Sequence, residues 1–258
     1  MLTYAGKFDV VVLATGVVPR TPAIPGIEHK KVLSYIDVLR HGAQVGKKVA
    51  IVGAGGIGFD VAEFISHDKA HAASSTSVAA FAAEWGIDLK NEARGGVDGV
   101  VPKLPSLGPC EKIYLLQRKS SKHGNDLGKT TGWIHRTVLK NKGVDMLGGV
   151  SYDKIDDKGL HITQKAKDGS TKSSVLDVDS IIICAGQEPL KELEAELSKA
   201  GIMTHLVGGA DVASELDAKR AIDQATRLAV MIEDATGKVA YEPATTMTAK
   251  LMGMMGKK

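Results

Sequence analysis

The chain has few of the residues that would settle its chemistry at once. Only two of its 258 residues are cysteines, Cys110 and Cys184, and they stand 74 positions apart. That scarcity excludes a self-contained iron–sulfur or cysteine-type zinc site and gives no sign of a disulfide scaffold. Eight histidines are scattered, and the one metal-like spacing, His67/His71, lacks further ligands and reads as surface residues. No apolar run approaches the ~20 residues needed to span a bilayer. The start, Met-Leu-Thr-Tyr-Ala-Gly-Lys-Phe-Asp, carries no signal-peptide core. Charge of either sign is also not in excess: 33 basic against 30 acidic residues leave +3. Nothing electrostatic therefore argues for nucleic acid or an anionic membrane as partner. The reading is a soluble intracellular protein of one or two domains, its compartment undecided between cytoplasm and organelle matrix.

What the chain does have is a glycine-rich turn in a telling place. Residues 49–58 read Val-Ala-Ile-Val-Gly-Ala-Gly-Gly-Ile-Gly, a β-branched strand running into Gly53-Ala54-Gly55-Gly56-Ile57-Gly58 and then an apolar helix over 59–66. Gly53 lets the chain turn off the strand, Gly55 lets the backbone approach a pyrophosphate, and Gly58 lets helix and strand pack closely. The helix N-terminus then offers free N–H groups and a positive dipole end to phosphate. Such a turn flanked by both strand and helix predicts a dinucleotide site.

The end of the next strand selects the dinucleotide. That strand is predicted over 112–117 and leads into Arg118 and Lys119. An NAD site places an acid there for the ribose 2′-hydroxyl, whereas a 2′-phosphate needs cations. Gln117 stands where the acid would be, and Arg118 offers the planar fork suited to phosphate, which predicts NADPH. The selector usually follows the fingerprint by about 20 residues. Here an insertion, 67–110, intervenes, with a Ser/Ala-rich start, a predicted helix over 78–89 carrying Phe81 and Trp85, and a Gly/Pro-rich exit. It is either a cover over a site or a solvated excursion. Gly128-Lys129-Thr130 imitates a P-loop ending, but position 123 is histidine where that motif needs glycine, and no strand leads in. Trp133, Ile134 and Val138 instead predict a helix packed on the sheet.

An internal near-repeat bears on domain organisation. Asp9-Val-Val-Val-Leu-Ala14-Thr15-Gly16-Val-Val-Pro19 is matched by Asp179-Ser-Ile-Ile-Ile-Cys184-Ala185-Gly186-Gln-Glu-Pro189. Each is an apolar strand, suited to a sheet covered on both faces, ending in small residues and a proline that forces exit. Two such units around a fingerprint suggest a chain that leaves one nucleotide domain, builds a second and returns.

Residues 8–25, 46–66, 117–150, 186–189 and 208–228 resemble the C-terminal flavin/nicotinamide half of the NADPH-dependent 2,4-dienoyl-CoA reductase family. That family belongs to the old-yellow-enzyme and trimethylamine dehydrogenase-like flavoproteins. The specific stretches are Leu-Gln-Arg-Lys at 116–119, Gly-Lys-Thr-Thr-Gly-Trp-Ile-His-Arg at 128–136 and Glu-Leu-Asp-Ala-Lys-Arg-Ala-Ile at 215–222. The resemblance implies that Ala14, Thr15, Gly16 and Gly186 lie beside FAD. It also implies that Asp211 bonds the flavin's ribityl or phosphate region, and that a helix starting near Glu215 and Leu216 points its N-terminus at the flavin. Gly53, Ala54, Gly55, Gly56, Ile57, Gly58, Arg118 and Lys119 fall on the NADPH side. The resemblance begins partway into the flavin domain, without the FAD pyrophosphate turn, the FMN barrel, the 4Fe–4S cysteines or the proton-donating residues. FAD is therefore expected to bind weakly, and a partner chain carrying the FMN barrel and iron–sulfur cluster would complete the electron path.

The fold expected is α/β: two doubly wound parallel-sheet nucleotide-binding units, the NADP unit (44–185) inserted in an incomplete FAD unit (1–43 and 186–232). Residues 233–258, holding four of the eight methionines in the last twelve positions, read as a flexible tail. The function expected is the NADPH-oxidising, flavin-reducing module of a 2,4-dienoyl-CoA reductase-like oxidoreductase of unsaturated fatty acid β-oxidation. No side chain of this chain is nominated as catalytic, because the cofactors carry the chemistry. The competing reading is a non-catalytic nucleotide-binding or assembly fragment.

Overall fold

The computed structural model describes residues 7–67, 76–97, 108–166, 168–214 and 218–235. In chain order the elements begin with β1 (Val10–Leu13), β2 (Val17–Pro19), β3 (Val32–Ser34), α1 (Tyr35–Leu39), β4 (Lys48–Val52), α2 (Gly56–Ile65) and α3 (Val78–Trp85). There follow β5 (Lys112–Leu116), α4 (Gly132–Asn141), β6 (Asp145–Leu147), β7 (Val150–Asp156), β8 (Gly159–Lys165) and β9 (Thr171–Leu176). The last elements are β10 (Ser180–Ile183), β11 (Gln187–Pro189), α5 (Glu192–Lys199), β12 (Met203–Leu206), a single 3-10 turn (Gly208–Ala210) and α6 (Ala218–Met231). The chain divides into two compact units: residues up to Arg20 with those from Gln187 on, and Thr21–Gly186.

The central unit is built on a five-stranded parallel sheet of order β3-β10-β4-β5-β6. Successive residues of its middle strands supply two different cores, as the two-residue period of a strand requires. Val49, Ile51, Ile113 and Leu115 face a helical layer with Phe59, Val61 and Ala62 of α2 and Leu139 of α4. Ala50, Val52, Leu116, Ile181 and Ile183 face the other way, onto Val150, Ile155, Leu160, Ile162 and Leu176. The chain therefore covers its second face with the antiparallel meander β7-β8-β9 rather than with helices. The β4 residues Val49–Val52 are fully enclosed, at 0% exposure. Burying one such side chain is worth about 1.5–3 kcal/mol, so this strand is the best-anchored part of the unit. Residues 21–43 group with this sheet because β3 is hydrogen-bonded to β10.

The inserted helix α3 ends at Trp85, earlier than its pattern predicts, because Gly86 adopts a left-handed conformation (φ +65°) and stops it. Its tryptophan stands 6.2 Å from Phe81 and meets Trp133 edge-on at 6.4 Å. The spacing predicts that this helix packs on the sheet, and α4 does so through Leu139, in one core with Ile113 and Leu115, while Trp133 stands outside that contact. It remains half exposed against the insertion, while Gly132 and Leu139 are the residues α4 buries. The rest of the insertion, 68–75 and 98–107, and with it His71, lies outside the described residues, as do Leu216 and the tail beyond 235.

The other unit holds two short pairs. Strands β1 and β12 run parallel, Val10 opposite Met203 and Leu13 opposite Leu206. Strands β2 and β11 pair antiparallel, Pro19 opposite Gln187 and Val17 opposite Pro189. The two halves of the near-repeat thus meet through their short second strands. Among the described residues no helix is long and apolar enough to cross a membrane.

Candidate nucleotide site

The turn after β4 is held by backbone packed on backbone. The Gly53 N–H donates to the Leu116 carbonyl at 2.9 Å, and the Cys184 N–H donates to the Val52 carbonyl at 2.8 Å. Gly53 turns with φ +113°, and a Cβ there would stand 2.3 Å from the Cys184 carbonyl oxygen. A Cβ on Gly58 would stand 1.9 Å from the Gly53 carbonyl oxygen, so α2 starts directly over the turn. Ala54 and Ile57 pack their side chains against the helical-side core. Gly55 and Gly56 are different, since nothing among the described residues lies within 4 Å of where their Cβ atoms would be. Gly55 is the N-cap of α2, makes no side-chain cap, and no acid stands in the first turn.

An uncapped helix N-terminus with no acid and open space over two glycines fits an anion whose oxygens take the helix donors. The residues present thus suit the phosphates of a dinucleotide. Among the described residues no cluster of His, Cys, Asp or Glu could hold a metal ion. The two thiols suit no redox role in the geometry shown. Burial pushes Cys184 up to about 12 and raises Cys110, so both stay protonated.

The loop after β5 carries Gln117, Arg118 and Lys119 at the end of a strand neighbouring β4. The Gln117 amide bends into its own loop, donating to the Lys119 carbonyl at 3.0 Å and to the Ser121 carbonyl. Lys119 pairs with Asp126 at 3.0 Å, both well exposed, so its charge is shared within the loop. Arg118 is exposed and close enough to β7 to act on Tyr152. Burial pushes the Tyr152 phenol up to about 12, and the guanidinium opposes that rise. Behind the loop His123 is buried beside the Leu147 and Leu115 carbonyls, its Nε2 without a partner among the described residues, and its pKa is lowered by burial. Gly148 closes on it, with space for no more than a tight Cβ, 3.4 Å from Cε1.

A second cluster forms in the other unit, where β1 and β12 end side by side. The Thr15 hydroxyl donates to the Leu190 carbonyl, and the Leu190 N–H returns to the Gly16 carbonyl at 3.0 Å. A Cβ on Gly209 would stand 3.1 Å from the Gly16 carbonyl carbon and 2.7 Å from Val17 Cγ1, so the two strand ends touch. Ala14 and Thr15 are exposed, and the space over Gly16 is open. Asp211 follows the 3-10 turn and accepts from Gln224 Nε2 at 2.8 Å. Thr15 and Gly16 follow the end of β1, and Asp211 follows the turn after β12 whose Gly209 meets Gly16. The open Gly16 and a carboxylate two residues beyond Gly209 suit a polar ligand such as the middle of a flavin nucleotide. Gly186 stands at the end of β10 and belongs to the central unit with Gly53.

Sequence reasoning passed over the residues that hold this second turn, Gln224 and Arg220 on α6. Gln224 accepts from the Gly208 N–H at 2.7 Å, and Arg220 donates to the Gly208 carbonyl at 3.1 Å and the Val212 carbonyl at 2.6 Å. Gln224 is buried with Leu228 on α6 while Ile222 and Val230 of the same helix are exposed, so the order of residue types along the helix does not mark it.

Comparison with known proteins bears on the family and the fold. A family model described as pyridine nucleotide-disulphide oxidoreductase matches residues 3–219. A metal reductase from Desulforamulus reducens is 26% identical over 205 residues, covering 80% of this chain and 28% of that protein. Among solved structures, a 2-naphthoyl-CoA reductase in complex with 2-naphthoyl-CoA aligns with a TM-score of 0.58 at 20% identity, over 83% of this chain and 25% of that one. A 6-hydroxypseudooxynicotine amine oxidase from Pseudomonas geniculata N1 aligns with a TM-score of 0.57 at 17% identity, over 82% of this chain and 28% of that one. The chain thus spans about a quarter to three tenths of the length of these relatives, and the structural likenesses speak to the fold alone.

Proposed function

The chain belongs to the pyridine nucleotide-disulphide oxidoreductase family, and from that premise we propose that it is the NADPH-oxidising, flavin-reducing module of a 2,4-dienoyl-CoA reductase-like oxidoreductase. The family binds FAD and NAD(P)H, so a redox role for the chain follows from membership. The choice of NADPH and of an acyl-CoA pathway goes further. It rests on the loop after β5 and on the resemblance of 116–119, 128–136 and 215–222.

One observation carries the reading: the uncapped start of α2, with open space over Gly55 and Gly56, at the end of the most deeply buried strand. The chemistry supplied by the bound nucleotides is hydride transfer from nicotinamide to flavin. This chain's residues bind and orient. The first-turn amides of α2 receive the pyrophosphate, and Gly53 and Gly58 fix those amides against the sheet. Arg118 receives a 2′-phosphate as a planar fork, while Lys119 is partly occupied by Asp126. In the other unit Thr15 and Gly16 present open backbone, and Asp211 presents a carboxylate oxygen to the flavin. The FMN and iron–sulfur centres that pass electrons on to an acyl-CoA belong, in this reading, to a partner segment or chain.

The test is optical. Purified protein supplied with FAD should show flavin absorbance that bleaches when NADPH is added, with transfer to an artificial dye acceptor. Without added FAD little flavin should co-purify, and no dienoyl-CoA should be reduced. A protein that binds NADPH yet never reduces added flavin would leave the non-catalytic reading in its place.

A further inference from the structure

The turn that carries Asp211 is fastened by a single buried amide. Gln224 is only 5% exposed, and both ends of its side chain are engaged. Its Oε1 accepts from the Gly208 N–H at 2.7 Å, and its Nε2 donates to Asp211 Oδ2 at 2.8 Å and reaches the Leu206 carbonyl at 3.5 Å. One side chain thus ties the last residue of β12, the first residue of the 3-10 turn and the acid that follows it. Arg220, one helical turn earlier, grips the same segment through the Gly208 and Val212 carbonyls.

Gly208 takes φ +64°, and that reversal points its N–H inward, where only a side-chain acceptor can meet it. With Oδ2 of Asp211 taken by the amide, Oδ1 has no partner among the described residues and is the oxygen left for a ligand. A primary amide is the side chain that can accept at one end and donate at the other. An ionised carboxylate of the same shape accepts at both ends, and a leucine does neither.

We propose that Gln224 is a positioning residue for the flavin reading given above. It fixes which oxygen of Asp211 faces the ligand and holds the Gly208 turn against the Gly16 strand end. The inference rests on that reading, and it assigns to α6 a role that the fingerprint and the selector loop do not supply.

Two variants of the full chain test it, Gln224→Glu and Gln224→Leu, read by FAD fluorescence titration at pH 8 and pH 5.5 and by amide hydrogen exchange without ligand. At pH 8 the carboxylate of Gln224→Glu still accepts from Gly208 but faces Asp211 with a second negative charge, and FAD affinity should fall at least tenfold. At pH 5.5 a proton shared between the two carboxylates restores the donor, and most of the affinity should return, while the unsubstituted chain changes less than twofold. A merely structural role would give a loss that does not depend on pH. In hydrogen exchange at one pH, Gln224→Leu should strip protection from the Gly208 amide at least tenfold and leave the Leu228 amide unchanged, while Gln224→Glu keeps Gly208 protected. Unchanged FAD affinity in Gln224→Glu at pH 8, or a loss that low pH does not repair, overturns the proposal. Unchanged Gly208 protection in Gln224→Leu does so as well. If the unsubstituted chain takes up no FAD at all, the flavin reading itself fails, and the exchange result alone decides whether Gln224 sets this turn.

Discussion

Around Gly53 the chain is held by main chain packed on main chain, whereas around Gly208 it is held by two side chains reaching from a later helix. The first turn closes on the Leu116, Cys184 and Gly53 carbonyls within a sheet whose central residues are fully buried. The second sits at the end of a two-stranded parallel pair in which Val12 and Met203 remain more than a third exposed. Isolated two-stranded pairs are marginal in water, and parallel strands normally sit in sheets covered on both faces. The difference teaches where each turn is vulnerable. A backbone-held turn fails when a Cβ is added, and it tolerates side-chain change nearby. A side-chain-held turn fails when one polar group is removed, and its local stability is the lower of the two.

The largest effect should come from Gly53→Val, which forces a β-branched residue to φ +113° and drives its Cβ into the Cys184 carbonyl. Strain and overpacking of that kind together cost roughly 4 kcal/mol. Urea unfolding should show a lowered midpoint at unchanged slope, and a loss below about 1 kcal/mol would mean the turn is not backbone-locked. The contrast lies two residues on. Gly55→Val enters open space, so unfolding free energy should change by no more than about 0.5 kcal/mol. NADPH affinity should nevertheless fall at least a hundredfold, about 2.7 kcal/mol, because the branched side chain occupies the approach to the α2 amides. Normal binding by fluorescence titration in that variant would reduce the loop to a connection.

A smaller effect should follow from Arg118→Ala, which alters a side chain of the backbone-held unit without touching its turn. The guanidinium is exposed, and Gln117 and Lys119 are committed within their loop, so Arg118 is the group left to meet a 2′-phosphate. NADPH should bind at least tenfold tighter than NADH in the unsubstituted chain. The substitution should remove most of that preference, about 1.5–3 kcal/mol for a charged hydrogen bond. Calorimetry giving equal affinities before substitution would refute the selector assignment.

The fingerprint unit was legible in sequence because its signal is local. Strand, turn and helix follow one another within 48–65, and each glycine is demanded by neighbours close in the chain or by the adjoining strand. The parallel α/β class followed from that and from the apolar runs of β4 and β10. The meander β7-β8-β9 was less legible, although Asp168-Gly169 and the alternation along 150–164 mark hairpins, because a fingerprint and its parallel strands say nothing of what covers the sheet's second face. The packing of α4 on the sheet was legible from its spacing, but spacing identifies a stripe and not which neighbour covers each residue, and Trp133 meets a helix from the insertion. Gln224 was missed for a different reason. Its partners lie 13 to 18 positions away along the chain, and nothing in the residue type says that an amide will be enclosed. Where a turn is held by backbone the sequence names it. Where it is held by a distant side chain, only the fold does.

The smallest effect tests whether the central unit also depends on a side-chain anchor. His123 is enclosed behind the loop after β5, against Gly148 and the Leu147 and Leu115 carbonyls, and its Nε2 has no partner among the described residues. Burial lowers its pKa below the ordinary 6.5, with the two carbonyls opposing that fall. The folded state therefore favours the neutral ring, while the unfolded chain takes up a proton near pH 6.5. The stability His123 contributes is present in full above 6.5 and is lost as the pH falls below it toward the folded value. One proton changes the slope of stability against pH by at most about 1.4 kcal/mol per unit. His123→Leu removes this titration and leaves the other histidines alike in both proteins. Between pH 7 and pH 5 the unsubstituted chain should lose stability more steeply than the variant, as read by urea midpoints in matched buffers. NADPH affinity should fall in step, since Arg118 rides on the same loop. Parallel pH profiles in the two proteins would show that the loop is fixed by its backbone bonds alone, and would extend the backbone-held character of the Gly53 turn to the selector as well.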